Sequence, residues 1–225
     1  MILKKDTNCF LSKNQLDKLK NYGYIIIDNF LPNDLHDSLL SELISAESTI
    51  QFQVKPSHYS HVFKSENKNL PQENEVYLAR FKKIDKRESL PILKKVFEDY
   101  LAPVMKAATQ NRAKYALYPA AVRVGAGDVF RTHQDSFAGL VGFSFFLNKG
   151  WKWDYGGILT YVRDEEQVEA IFPLTNRLLL RNEEFKHFHF LNTVEQFSLQ
   201  EQHIILGWAD ESPGDAFIYG NYHKI

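Results

Sequence analysis

The chain has a single cysteine, Cys9, in 225 residues, so no intramolecular disulfide can form. It also lacks a charge imbalance. With 27 basic and 28 acidic residues the net charge is −1, which gives no electrostatic reason to expect a nucleic-acid or membrane-surface partner. No stretch approaches the roughly 20 apolar residues of a membrane span. The opening MILKKDTNCFLSKN lacks the apolar run of a signal peptide. The expectation is a soluble protein of a reducing compartment, the cytoplasm. No linker, repeat or low-complexity segment interrupts the sequence, which predicts one domain over 1–225. What is plentiful is aromatic: 14% of residues, with 17 Phe, which fits a β-rich core around an apolar pocket.

Along the chain, texture divides the domain into a mostly helical part over 1–114, a β core over 115–210 and an extension over 211–225. Residues 12–22 form an amphipathic helix with Ser12 and Gln15 spaced as a capping box and Gly23 as its stop. A short apolar strand over 24–27 follows. A helix starts at Pro32 with Leu35, Leu39, Leu40, Leu43 and Ile44 at helical spacing. Residues 51–75 are polar and read as an irregular loop or lid, with His58 and His61 as ordinary loop residues. Residues 89–109 read as one long helix or two, with Pro103 as a break or a new first turn. From Tyr115 onward short strands alternate with Gly, Asn, Asp and Pro, the pattern of an antiparallel sandwich or barrel.

The stretch richest in chemistry is VFRTHQDSF, Val129 to Phe137. In an extended strand alternate side chains share a face, so His133 and Asp135 project together and Gln134 turns away. One imidazole and one carboxylate are two thirds of the two-histidine, one-carboxylate triad that holds non-haem Fe(II). A third ligand is available downstream in His187 or His189. These two also share a face, so spacing alone leaves both open. Arg131, two residues before His133, is expected on the same face, where it would grip a substrate carboxylate. Asp154 precedes Gly156-Gly157 in a loop and is set aside as a ligand.

The order of motifs resembles the prolyl-4-hydroxylase-like branch of the Fe(II)/2-oxoglutarate dioxygenases. The likeness runs through Gly23 to Pro32, Gly127-Asp128 to Asp135, and the FLNKGWKWDYGGILTYV segment from Phe146 to Val162. It continues through Pro173 to Leu178, His189 to Val194, and Gly207-Trp208. The resemblance implies a double-stranded β-helix core with N-terminal helices (α+β, mainly β). It implies Fe(II) held by His133, Asp135 and His189, with His187 beside the pocket. No catalytic residue beyond these ligands is implied. The co-substrates would be 2-oxoglutarate and O2, with ascorbate supportive.

The implied reaction couples oxidative decarboxylation of 2-oxoglutarate to hydroxylation of an unactivated C–H bond. The substrate would be an amino-acid-like metabolite or a peptidyl residue. Related halogenases carry Gly or Ala where Asp135 stands, so hydroxylation is the default, with desaturation or ring closure on the same chemistry. Trp151 is placed at the packing or rim of the substrate pocket.

The sequence departs from the family at one place. Six residues before Trp208, where most members carry the Arg or Lys that fixes 2-oxoglutarate, stands Gln202, with Ile204 two residues on. A buried carboxylate without a cation is costly, so a relocated partner is expected from Arg123, His203 or Arg131, with Gln202 and Tyr118 adding neutral hydrogen bonds. The competing readings are an iron oxygenase of the same fold with another co-substrate, and a barrel that binds a ligand without turnover.

Overall fold

In the computed structural model the described residues are 11–56, 75–133, 139–164, 167–185, 187–212 and 222–225. Helix α1 (Lys13–Tyr22) begins at the expected box: the Ser12 hydroxyl accepts from the Gln15 N–H, and the Gln15 side chain accepts from the Ser12 N–H. Gly23, at φ 91°, ends it in the left-handed conformation a glycine adopts cheaply. Strand β1 (Tyr24–Asp28) and helix α2 (Asn33–Ser45) follow.

The next stretch differs from the expectation. Strand β2 (Ser48–Pro56) is antiparallel to β3 (Glu75–Ile84), so the predicted lid begins as a strand, and its remaining residues 57–74 lie outside the described residues. The run Ile50 to Lys55 alternates apolar and polar residues, a period of two that belongs to a strand, although Ile50 itself is exposed. Helices α3 (Pro91–Val96) and α4 (Ala102–Ala108) are joined by a wide π turn over Phe97–Leu101. The wide turn hands over just before Pro103, which has no N–H to give to a tighter ladder.

The core strands are β4 (Tyr115–Leu117), β5 (Ala120–Val124), β6 (Val129–His133), β7 (Val141–Phe146), β8 (Leu159–Asp164) and β9 (Gln167–Ile171). Then come β10 (Arg177–Asn182), β11 (Phe188–Leu191), β12 (Gln202–Asp210) and β13 (Tyr222–Lys224). Their order is β1-β10-β7-β12-β5-β3-β6-β11-β8-β9, all antiparallel. One half, β10-β7-β12-β5, faces the other, β6-β11-β8-β9, and β3 bridges them through pairs with β5 and β6. This is a double-stranded β-helix.

Strand alternation sorts the core in two. Phe143, Phe145, Leu178, Leu180 and Ile205 face outward and pack with the helices around Leu39, Leu43, Leu93 and Met105. Phe146, Leu179, Ile204, Val124, Leu159, Tyr161 and Leu191 face into the barrel. β7 is buried at every position because both its faces are covered. Strands β1 and β9 stand at opposite ends of the order, yet the hydroxyls of Tyr22 and Tyr24 both donate to the Glu169 carboxylate, so side chains draw the two edges together.

Candidate metal centre

The turn before β6 is fixed by its own sequence. Gly127 takes φ 79°, the Asp128 carboxylate accepts the Gly125 N–H at 2.9 Å, and the Gly127 N–H donates to the Val194 carbonyl at 2.9 Å. From there β6 runs antiparallel to β11 with His133 directly opposite His189. A bulge follows: three residues back on β6, Phe130 faces Leu191, only two residues on along β11. The extra residue resets the alternation. Phe130 therefore shares the inward face with His133 and stacks on Phe81, while Arg131 is exposed. The expectation that Arg131 lines the pocket rested on a regular strand, and the bulge removes that premise. What Arg131 gives the site is its carbonyl, 2.6 Å from His133 Nδ1. A carbonyl only accepts, so Nδ1 carries the proton and Nε2 keeps the lone pair. Such an outer hydrogen bond would orient the ring if it were to ligate a metal.

The rings of His133 and His189 have centroids 4.4 Å apart. His189 is buried, stacked on Tyr161 at 5.6 Å, and its Nε2 lies 3.2 Å from Arg181 Nη1. A guanidinium has only donors, so Nε2 must present its lone pair to it. His187 is also buried, 5.7 Å from His189 and 4.7 Å from Tyr161 between centroids. The rings of His133 and His189 lie side by side across β6 and β11, and imidazole nitrogen suits a borderline divalent ion at about 2.0–2.1 Å, at a position where His189 Nε2 is now met by Arg181. The donor set thus fits the expected metal as far as it is described. Asp135 lies outside the described residues. Among the described residues no group of three His, Cys, Asp or Glu forms a metal-holding cluster.

The other residues singled out from sequence are dispersed. Arg123 is on the outer side of β5, where its Nη2 donates to the carbonyls of Leu43, Ile44 and Ala46 at 2.5, 2.9 and 2.6 Å. It finishes helix α2 and does not reach the barrel interior. Tyr118 packs among the outer core with Phe97 and His223, its hydroxyl 3.5 Å from the Arg87 carbonyl, and burial pushes its phenol up to about 12. His203 also faces outward, opposite Arg123. Burial, and then the charge of Arg123, pull its imidazole down to about 4, so it is neutral at pH 7 and supplies no fixed charge.

Gln202 does face inward and is fully buried, with its Nε2 donating to the Gly157 carbonyl at 3.0 Å. Trp151 is buried against the same turn, donating to the Gly156 carbonyl at 3.0 Å and packing edge-on to Tyr155. A Cβ on Gly157 would come within 3.2 Å of Gln202 and 3.3 Å of Trp151, which shows how tightly that end is filled.

One residue that the sequence reading passed over stands at the centre. Arg181, near the end of β10, is 2% exposed, and besides His189 it meets Glu183, Nε to Oε1, at 3.2 Å. The Glu183 side chain is 4% exposed. Both sit over Gly142 of β7, the cross-strand neighbour of Arg181 and Trp208. A Cβ at 142 would fall 2.1 Å from Glu183 Oε1 and 2.8 Å from Arg181 Nη2, so the glycine is the cradle for this ion pair. The signal was present in the sequence as an arginine closing the apolar run Leu178-Leu179-Leu180, in register with the inward Leu179.

No protein-family model matches this chain, and no curated protein matches it. Solved structures do. A prolyl-4-hydroxylase from Pseudomonas putida superposes with a TM-score of 0.61 at 16% identity, covering 88% of this chain and 98% of that one. The chain has the fold of the 2-oxoglutarate, Fe(II) oxygenases. A prolyl hydroxylase from Trichoplax adhaerens, in complex with a peptide fragment of the hypoxia inducible factor oxygen degradation domain, gives 0.59 at 20% identity, covering 87% of each chain. HygX from Streptomyces hygroscopicus, with nickel and 2-oxoglutarate bound, gives 0.59 at 14% identity, covering 89% of this chain and 87% of the other. Identities this low establish the shared β-helix architecture.

Proposed function

We propose that this protein is an Fe(II)-dependent oxygenase. Its co-substrates are a 2-oxo acid, 2-oxoglutarate by analogy with its fold relatives, and O2, and it hydroxylates an amino-acid-like metabolite or a peptidyl residue. The observation that carries this reading is the pairing of His133 with His189 across β6 and β11, rings 4.4 Å apart inside the barrel. Asp135, two residues beyond His133, supplies the carboxylate. Support comes from the nickel and 2-oxoglutarate named for one relative and the peptide named for another. Bound there, iron would couple decarboxylation of the 2-oxo acid to oxidation of a C–H bond.

The chain does the rest. The Arg131 carbonyl holds the His133 tautomer. Tyr161 stacks on His189 and sets the plane of its ring. Leu159, Leu191, Leu179 and Ile204 keep the interior apolar and exclude water around the reacting groups. The arrangement suits a reducing compartment, where iron stays divalent. Among the described residues no helix is long and apolar enough to cross a membrane.

The test is metal content. Alanine at His133, Asp135 or His189 should remove most bound iron, while His187→Ala keeps it. Iron lost by His187→Ala but retained by His189→Ala contradicts the assignment. A second reading, the same iron chemistry with a different co-substrate, is favoured by one observation: the neutral Gln202 where a cation was expected.

A further inference from the structure

Four aromatic rings run in single file from the histidine pair toward the surface. Tyr161 stacks on His189 at 5.6 Å, Tyr24 stacks on Tyr161 at 5.4 Å, and Tyr22 meets Tyr24 edge-on at 5.4 Å, all between centroids. His189, Tyr161 and Tyr24 are buried, whereas Tyr22, the last residue of α1, is only half-buried. The file thus crosses β11, β8 and β1 and ends where water begins.

Packing asks only for rings, and phenylalanine would serve. A buried hydroxyl needs a partner, and here two phenols share one carboxylate: Tyr24 donates to Glu169 Oε2 and Tyr22 to Glu169 Oε1. Glu169 stands on β9 directly opposite Tyr161 on β8. A free phenol holds its proton up to about pH 10, and loss of an electron makes that proton strongly acidic. Oxidation of a buried tyrosine therefore needs a base at its hydroxyl, and Glu169 is that base for both. Lys18 Nζ, 5.5 Å from the centroid of the Tyr22 ring, reinforces the need: a cation over the face opposes a positively charged ring but not a neutral phenoxyl.

We infer that Tyr161, Tyr24, Tyr22 and Glu169 form a relay that carries an oxidising equivalent from the histidine pair to the surface when no substrate C–H bond takes it. This rests on the iron reading above, and the oxidant is one derived from oxygen at that iron. Tyr24 gives one electron inward across the Tyr161 ring and His189. Its O–H bond breaks as the proton passes to Glu169 Oε2, and the oxidant is reduced by one electron. Tyr22 then gives an electron to the Tyr24 phenoxyl, while Glu169 returns a proton to Tyr24 and takes that of Tyr22 at Oε1. A one-electron reductant of the ascorbate class restores Tyr22 at the surface. Glu169 gives back the proton, and the reductant releases its own to water. The relay spares the lining of the barrel from oxidation.

Hydrogen peroxide added to the Fe(II)-loaded protein, followed by rapid freezing and electron paramagnetic resonance, tests this without turnover. The parent should give a tyrosyl signal that narrows when the protein is made with ring-deuterated tyrosine. The iron-free parent should give none. Tyr22→Phe with Tyr24→Phe keeps both rings and should keep its iron but lose the signal. Indiscriminate oxidation would leave the signal in place, since the chain has 11 tyrosines. An amide accepts from a phenol but does not take its proton, so Glu169→Gln should lose the signal too. Mass spectrometry of the double variant should find oxygen added near the histidines, at residues such as Phe130 and Leu191, that the parent leaves intact.

An iron-loaded parent with no tyrosyl signal, or a signal that persists in the double variant, overturns the relay. Loss of iron by the double variant shows the phenols to be supports of the metal site and overturns it likewise. A signal that persists in Glu169→Gln removes the carboxylate from the path. A parent that takes up no iron sinks the oxygenase reading and the relay with it, a failure seen before peroxide is added.

Discussion

At single residues, environment decides roles that residue type leaves open. His203 is held neutral by burial with Arg123 opposite, at a folded value of about 4 against about 6.5 for a free imidazole. The folded state thus binds the proton less well than the unfolded state. The stability this group leaves intact above about pH 6.5 is lost as pH falls toward 4, at up to ~1.4 kcal/mol per pH unit. Urea unfolding of the parent and of His203→Gln at pH 7 and pH 5 should show the smaller drop in the variant. Equal drops mean that His203 is not a source of acid lability. Arg181 is the opposite case, a permanent charge kept inside by Glu183, by His189 and by the absence of a side chain at Gly142.

Among elements, β6 and β11 show why the histidines were legible in the sequence and their neighbours were not. His133 and His189 need only a strand and its partner, and both were readable from spacing and motif order. Arg131 needed a regular strand between it and His133, and a single extra residue opposite Leu191 turned it out to solvent. Local patterns carry no record of such a bulge, which is set by pairing with a strand some 60 residues away in the chain.

Arg123 failed as a pocket residue for a related reason. Alternation places it on the outer face of β5, and there the carbonyls at the end of α2 claim it. Its role is to tie helix to sheet. Arg123→Ala is therefore expected to lower stability by about 1.5–3 kcal/mol, the worth of hydrogen bonds to a charged donor, while 2-oxo acid affinity stays at the parental value. Denaturant midpoints and calorimetry on the same variant separate the two. Unchanged stability with weakened acid binding reverses this assignment.

For the molecule as a whole, the order of elements follows from the strand periodicity and turn residues after Tyr115, and the β-helix from the motif sequence that those strands carry. The hairpin of β2 and β3 was hidden by the polar residues around it. Its role as a bridge between the two halves of the barrel depends on long-range pairing through Ala79, Arg80, Lys82 and Lys83. The same is true of the contact that draws β1 to β9, where one carboxylate gathers two tyrosines from far upstream. Such links belong to the closed barrel and leave no local trace.

The claim that all of this serves is that the paired histidines hold an iron on which a 2-oxo acid chelates. Anaerobic addition of Fe(II) and then 2-oxoglutarate to the protein tests it most directly, by visible absorption. A weak metal-to-ligand charge-transfer band should grow with the acid and be absent from His189→Ala. A parent that retains iron yet shows no band with 2-oxoglutarate or 2-oxopentanoate contradicts the account.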